Sequence, residues 1–297
     1  MHTFWVGAIV FGLSLLPASA PLPPDYQQAL QQARKEQAQA IDAPNSWLSL
    51  VALTPLLGDD VSVGSAPGTT VHLEHGPAHA FTLHTASGKV TLAAVDPSLT
   101  LNGRHLHPGD TLPVSDADDA SLHWGELRAN AIRRTGNQLF LRVGDPDSPN
   151  RRSFHGLHFY PVDLAYRIVG KWVPYTTPHE IHMSTEVGSV LTVPSPGYVE
   201  FSLEGKTVRL DGMDANNGAV TFSFRDATYR TTTYGAGRHV TAERPSNGLQ
   251  APGSMLIDFN MATNWPCAYT EYGTCPLPPE QNRFNVAIPA GEKRYHD

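Results

Sequence analysis

The chain has 297 residues, of which 40% are hydrophobic and only 16% charged, with a formal net charge of −7. That is apolar material for one large or two ordinary domains. No block of Lys or Arg stands out, so no nucleic-acid partner is expected. The 25 Gly and 25 Pro favour many short strands over long helices.

Residues 1–20 read as a signal peptide: an apolar run at 4–16 ends in the small-residue site Ala18-Ser19-Ala20. The run is shorter than the roughly 20 residues a membrane span needs. A periplasmic or secreted protein is expected, with no stable membrane span after signal removal.

Residues 21–45 form a lead-in. "PDYQQALQQARKEQAQAID" is helix-forming and polar, with a thin apolar stripe of Ala29, Leu30 and Ala33. It predicts a short surface helix. Residues 46–145 begin with the apolar "SWLSLVALTPLL" and continue with period-two alternation from 61 to 143. Gly88, Asn102-Gly103, Gly109-Asp110 and Gly136-Asn137 mark hairpins, so this unit is expected to be a β-sandwich. "VGSAPGTTVHL", "GPAHA" and "LTLNGRHLHPGDTL" are similar to a forkhead-associated sandwich. That family reads phosphothreonine with an Arg after the first Gly and a Ser in the following loop. Here Ser65 follows Gly64 and Gly76 takes the place of the Ser, so the resemblance implies fold and not phosphate reading.

A turn-rich joint at 144–161 precedes residues that again alternate up to "SMLIDFN". Residues 146–297 are expected to form a second antiparallel unit, a curled sheet or partial barrel. It closes with the Cys/Pro-rich loop "NWPCAYTEYGTCPLPPEQNRF". The fold class is therefore mainly β: two antiparallel β units after a short N-terminal helix. The segment "PLPPEQNRF" reads as an extended strap over the sheet.

Alternation in "SMLIDFNM" puts Ile257, Phe259 and Met261 on one face and Leu256, Asp258 and Asn260 on the other. In "FRDATYRTTTYGAGRHV", Gly235 and Gly237 allow a tight path before Arg238, whose planar fork suits a carboxylate or phosphate. Its partner is either internal (Asp226, Asp258 or Glu292) or an anionic ligand beside Asn260 and Asn264. The leading functional reading is a small polar or anionic ligand bound by the C-terminal unit. Arg238 is its charge anchor, and Tyr234, Asp258, Asn260 and Asn264 supply hydrogen bonds. The alternatives are a hydrolase using Asp226, Asp258 or Glu292 as paired carboxylates, and a purely structural polar cluster. There is no Gly-x-Ser-x-Gly, and no cofactor is expected. Cys267 and Cys275, in an oxidising compartment, are expected to pair as a disulfide worth about 2.5 kcal/mol. "HEIH" at 179–182 has its histidines three apart rather than the four of a helical zinc motif, so no metal is assigned.

The segments "SWLSLVALTPLLGDDVSVGSA", "FHGLHFYPVDLAYRI", "FRDATYRTTTYGAGRHV", "DFNMATNWPCAYTEYGTCPLPPEQNRF" and "AIPAGEK" resemble the domain of unknown function 1684 family over about 47–293. That family usually shows Asn-Pro-Pro-Cys where this chain has Asn264-Trp265-Pro266-Cys267. The resemblance implies fold and boundaries and carries no activity.

Overall fold

A computed structural model describes residues 23–115, 120–185, 188–214 and 218–296. The expected signal peptide lies outside the described residues. The N-terminal helix, α1, spans Pro24–Ile41 and opens with proline in its first turn, where a missing N–H costs nothing. Only Leu30 and Ile41 of its 18 residues are buried. The expected surface helix therefore forms, but its polar side is not all solvated. Gln37 and Arg34 reach residues of the C-terminal unit.

The N-terminal unit is the expected sandwich. One sheet orders the strands Leu50–Pro55, Gln138–Gly144, Leu127–Arg134, Leu122–Trp124, Thr100–Leu101 and Arg104–His105. The other orders Val71–His72, Val61–Gly64, Phe81–Ala86, Lys89–Val95 and Thr111–Leu112. Inward residues such as Leu83, Leu92, Leu141 and Val143 share one core. Phe81 meets Trp124 edge to face there, at 5.3 Å between centroids. One pair, Val61–Gly64 with Val71–His72, is parallel, because the chain crosses over rather than turning back. Asn102 and Gly103, with φ of 51° and 74°, make the tight turn that their sequence announces. Gly109-Asp110 does not: the strands on either side of it lie in different sheets, so this turn changes layer instead of closing a hairpin.

A short helix, α2, at Pro149–Arg152 follows; Ser148 caps it by accepting from the Arg151 N–H at 3.2 Å. The C-terminal unit then forms two four-stranded antiparallel sheets. The first orders Lys206–Asp211, Val190–Leu203, Arg167–Ser184 and Gly253–Asp258; the second orders Met213–Asp214, Val220–Phe224, Arg238–Ala242 and Thr263–Asn264. Trp172, Leu210, Phe222, Phe224, Ile257 and Phe259 join both sheets in one core. Neither sheet closes into a barrel, so the curled-sheet expectation resolves into two open layers.

The ladder between Arg167–Ser184 and Val190–Leu203 breaks between Pro174 and His179. Within "HEIH", His179 sits 3.6 Å from Asp211, whereas His182 contacts Thr192 Oγ1 at 3.0 Å. A strand points residues three apart to opposite faces, and no group of metal ligands forms among the described residues. The proline-rich segment does run as a strap. Leu277 N–H donates to Ser184 O at 2.7 Å. The Asn282 amide donates to Asp211 O and Ser223 O, both at 2.9 Å, and so ties one sheet to the other.

Candidate functional site

Arg238 begins its strand directly after Gly237, whose φ is 96° and whose Cβ position would lie 2.5 Å from Phe224 O. Only glycine fits such a path. The guanidinium is thereby driven inward, with 0% exposure. Its Nη2 donates to Asp226 Oδ1 at 3.2 Å and to Ile288 O at 2.9 Å. Its Nη1 donates to the carbonyls of Glu292, at 3.2 Å, and Ala290. Burial pulls its pKa down, and Asp226 opposes that shift. Asp226 also accepts from Thr228 Oγ1 and from Ile288 N–H, each at 2.7 Å. The pair binds the backbone at 288–292 to the sheet. It is a framework clamp: of the charge anchor expected from the sequence, Nη1 and Nη2 are engaged by internal acceptors.

Asp258 ends its strand and caps a 3-10 turn at Phe259–Met261, accepting from Asn260 N–H at 3.0 Å. This turn breaks the alternation read from the sequence. Phe259 stays in the core, Asn260 is buried, and Met261 is 40% exposed instead of packed. Asn260 brackets the backbone of Asp163, donating to its carbonyl at 2.9 Å and accepting from its N–H at 3.1 Å. The other oxygen of Asp258 lies 3.5 Å from Arg167 Nε. Tyr234 Oη donates to Cys267 O at 3.0 Å, and Asn264 Nδ2 donates to Lys293 O at 2.8 Å. These four residues supply the expected hydrogen bonds, but to the protein itself.

The expected disulfide is not formed. Instead, Cys267 N–H donates to Cys275 Sγ at 3.2 Å and Cys275 N–H donates to Cys267 Sγ at 3.0 Å. The loop is pinned by reciprocal amide–sulfur contacts and by Tyr234.

Glu292 is the most buried of the three candidate carboxylates, at 1% exposure. Its carboxylate accepts from Tyr269 Oη at 2.7 Å, from Gln37 Nε2 of α1 at 2.7 Å and from Asn264 N–H at 2.9 Å. Burial pushes its pKa up, against the pull of these donors. The Tyr269 phenol is pushed up by burial and then by Glu292. Asp226, Asp258 and Glu292 each have their own separate partners, and none of them lines the larger cavity.

Two open spaces adjoin this framework. The larger, of about 580 Å³, is a cleft between the two β units. Leu50, Glu74 and Asp145 contribute from the N-terminal unit; the loop gives Thr270, Glu271 and Tyr272. Asn150 of α2 stands at the seam, donating to Tyr269 O at 2.9 Å. No Lys or Arg is among the described residues that line the cleft, and its carboxylates give it negative character. The smaller space, of about 120 Å³, lies under α1 and is lined by Arg34, Gln37, Phe159, Asn260 and Thr263 among others. Sequence reading missed the cleft because its walls come from segments some 120 to 245 positions apart. The one local signal was the aromatic and polar run Tyr269-Thr270-Glu271-Tyr272.

Residues 152–293 match the family model described as "Protein of unknown function (DUF1684)". The matched residues lie within the span of about 47–293 over which the sequence resembles this family. Among solved structures, a solution NMR structure of the uncharacterized protein from gene locus rrnAC0354 of Haloarcula marismortui is 29% identical. It covers 50% of this chain and 82% of that chain, with a TM-score of 0.42. No curated protein matches the chain.

Proposed function

We propose that this chain, whose residues 152–293 match the DUF1684 family model with a description that carries no activity, binds a small polar ligand in the cleft between its β units. The supporting observation is the cleft itself: about 580 Å³, within the range of small-molecule sites, with polar groups converging from both units. Its carboxylates Glu74, Asp145 and Glu271 favour a neutral or cationic ligand over an anionic one. Tyr272 offers an aromatic face and Asn150 an amide. The polar cluster around Arg238 and Glu292 shapes the loop that forms one wall. A secreted or periplasmic location belongs to the same proposal, on the strength of residues 1–20 alone.

A thermal-shift series with glucose, spermidine and citrate tests this reading. Glucose or spermidine raises the melting temperature, citrate does not, and Tyr272→Ala with Glu271→Gln abolishes the shift. A shift with citrate alone, or one unchanged in the double variant, rejects it.

A further inference from the structure

We propose that α1 is a lid over a second binding site, separate from the cleft, which takes a ligand bearing a guanidinium or ammonium group. The surface beneath the helix already holds such groups, supplied by the helix itself. Arg34 lays its guanidinium 4.3 Å over the Phe159 ring and donates to Asn260 O at 3.5 Å. One turn on, Gln37 donates to Glu292 Oε2 at 2.7 Å and to Tyr269 Oη at 3.4 Å. Residues three apart on a helix project to the same side, so α1 offers a cation and an amide together, as a tethered ligand would.

The acceptors beneath are incompletely satisfied by this occupant. The Glu292 carboxylate is buried, yet all three of its hydrogen bonds come from uncharged groups. Arg238 attracts it through space but spends its hydrogen bonds on Asp226 and backbone carbonyls, so no cationic donor bonds the carboxylate among the described residues. Beside it, Asn264 is 4% exposed and its Oδ1 accepts no hydrogen bond among the described residues. Glu292 and Asn264 Oδ1 are both acceptors, so a donor would complete them, and a cation serves Glu292 better than an amide does; Arg34 is itself poorly seated there, its buried Nε having no hydrogen-bond partner among the described residues. The space of about 120 Å³ beside Arg34 and Gln37 gives the ligand its entry.

The lid is lightly held. Leu30 and Ile41 are the buried residues of α1, and Ile41 sits at the hinge end. Beyond these two side chains, the helix is kept down by the polar contacts of Arg34 and Gln37 and by the Tyr26 ring, 5.1 Å from the Arg167 guanidinium. Displacing it removes the Arg34 charge with it, and the guanidinium that remains near Glu292, Arg238, is paired with Asp226.

Agmatine, which carries a guanidinium and an ammonium, is the probe, with acetate as control, titrated into the full chain by calorimetry. Arg34→Ala/Gln37→Ala removes the internal competitor while keeping good helix formers. It binds agmatine at least about tenfold more tightly than the wild type. Agmatine also speeds amide exchange along α1 in the wild type. Glu292→Gln added to the double variant abolishes binding. Phe159→Leu, which keeps the core apolar, weakens it if Glu292→Gln does not fold. Tyr272→Ala leaves it unchanged, which separates this site from the cleft. A folded Arg34→Ala/Gln37→Ala chain that ignores agmatine, or binds acetate equally, overturns the proposal.

Discussion

Arg238 and His239 are neighbours in one strand, and burial treats them differently. Arg238 keeps its charge because Asp226 and three carbonyls surround it. Removing it strands Asp226 and frees the 288–292 backbone. Arg238→Met is expected to cost about 3–5 kcal/mol in urea unfolding, and Arg238→Lys nearly as much, since one ammonium cannot span four acceptors. A loss below about 1 kcal/mol in both would show that the clamp is dispensable. His239 packs 4.1 Å from Trp265, its Nε2 3.2 Å from Thr263 Oγ1, and burial pulls its pKa from 6.5 down to about 4. The unfolded chain takes up that proton first. Stability from this residue is therefore whole above pH 6.5 and is lost as pH falls through about 4, a change of about 3 kcal/mol. Glu292 contributes with the opposite sign: its raised pKa favours folding at low pH and costs stability once it ionises. The difference in unfolding free energy between wild type and His239→Phe, measured from pH 7 to pH 4, should shrink as pH falls. A difference that stays constant would mean that His239 is not held neutral. The Arg and its candidate carboxylates were legible in the sequence. Which acceptors it met was not, because the carbonyls come from a segment some 50 residues later that has no pattern of its own.

Period-two alternation located most strands because each sheet has one buried face, and side-chain burial then has the period of the backbone pleat. It failed at Asp258, where a side chain that bonds its own following amides substitutes a turn for the next strand residue. It also could not read α1. Polar residues facing a buried polar cluster have the same spacing as polar residues facing water, so Arg34 and Gln37 looked solvated. The glycine before Arg238 was legible and proves restrictive. Gly237→Ala forces a side chain to φ 96° with contacts of 2.5 Å to Phe224 O and 2.6 Å to Pro278 Cγ. It should cost at least about 2 kcal/mol and loosen the proline strap. Proteolysis within 276–284 of the folded variant reports that loosening. A variant as resistant and as stable as the wild type would mean that the strap is held elsewhere.

The two large cores do not merge, and a third, small cluster lies where the units meet α1. Ile41, Leu48 and Tyr269 form it, with Trp47, Phe154 and Tyr295 against them. Leu48 is its centre, at 0% exposure. Its carbonyl accepts from Ser148 Oγ at 2.6 Å, and Ser49 O accepts from Asp145 N–H at 2.7 Å. The same residues stand behind the cleft: Asp145 and Ser148 line one wall and Tyr269 the other. Leu48 is therefore placed to set the spacing of the cleft without touching a ligand. Leu48→Ala should cost about 2–5 kcal/mol, as for a buried leucine, but the loss should fall on the seam more than on either sandwich. Hydrogen exchange should quicken at 269–272 and 148–152, while amides in Phe81–Ala86 and Val220–Phe224 stay protected. Ligand affinity in the cleft should drop in parallel, with Tyr272 and Glu271 intact. Uniform acceleration across both sandwiches would instead mean that the chain unfolds as one body and that the cleft is not independently sprung.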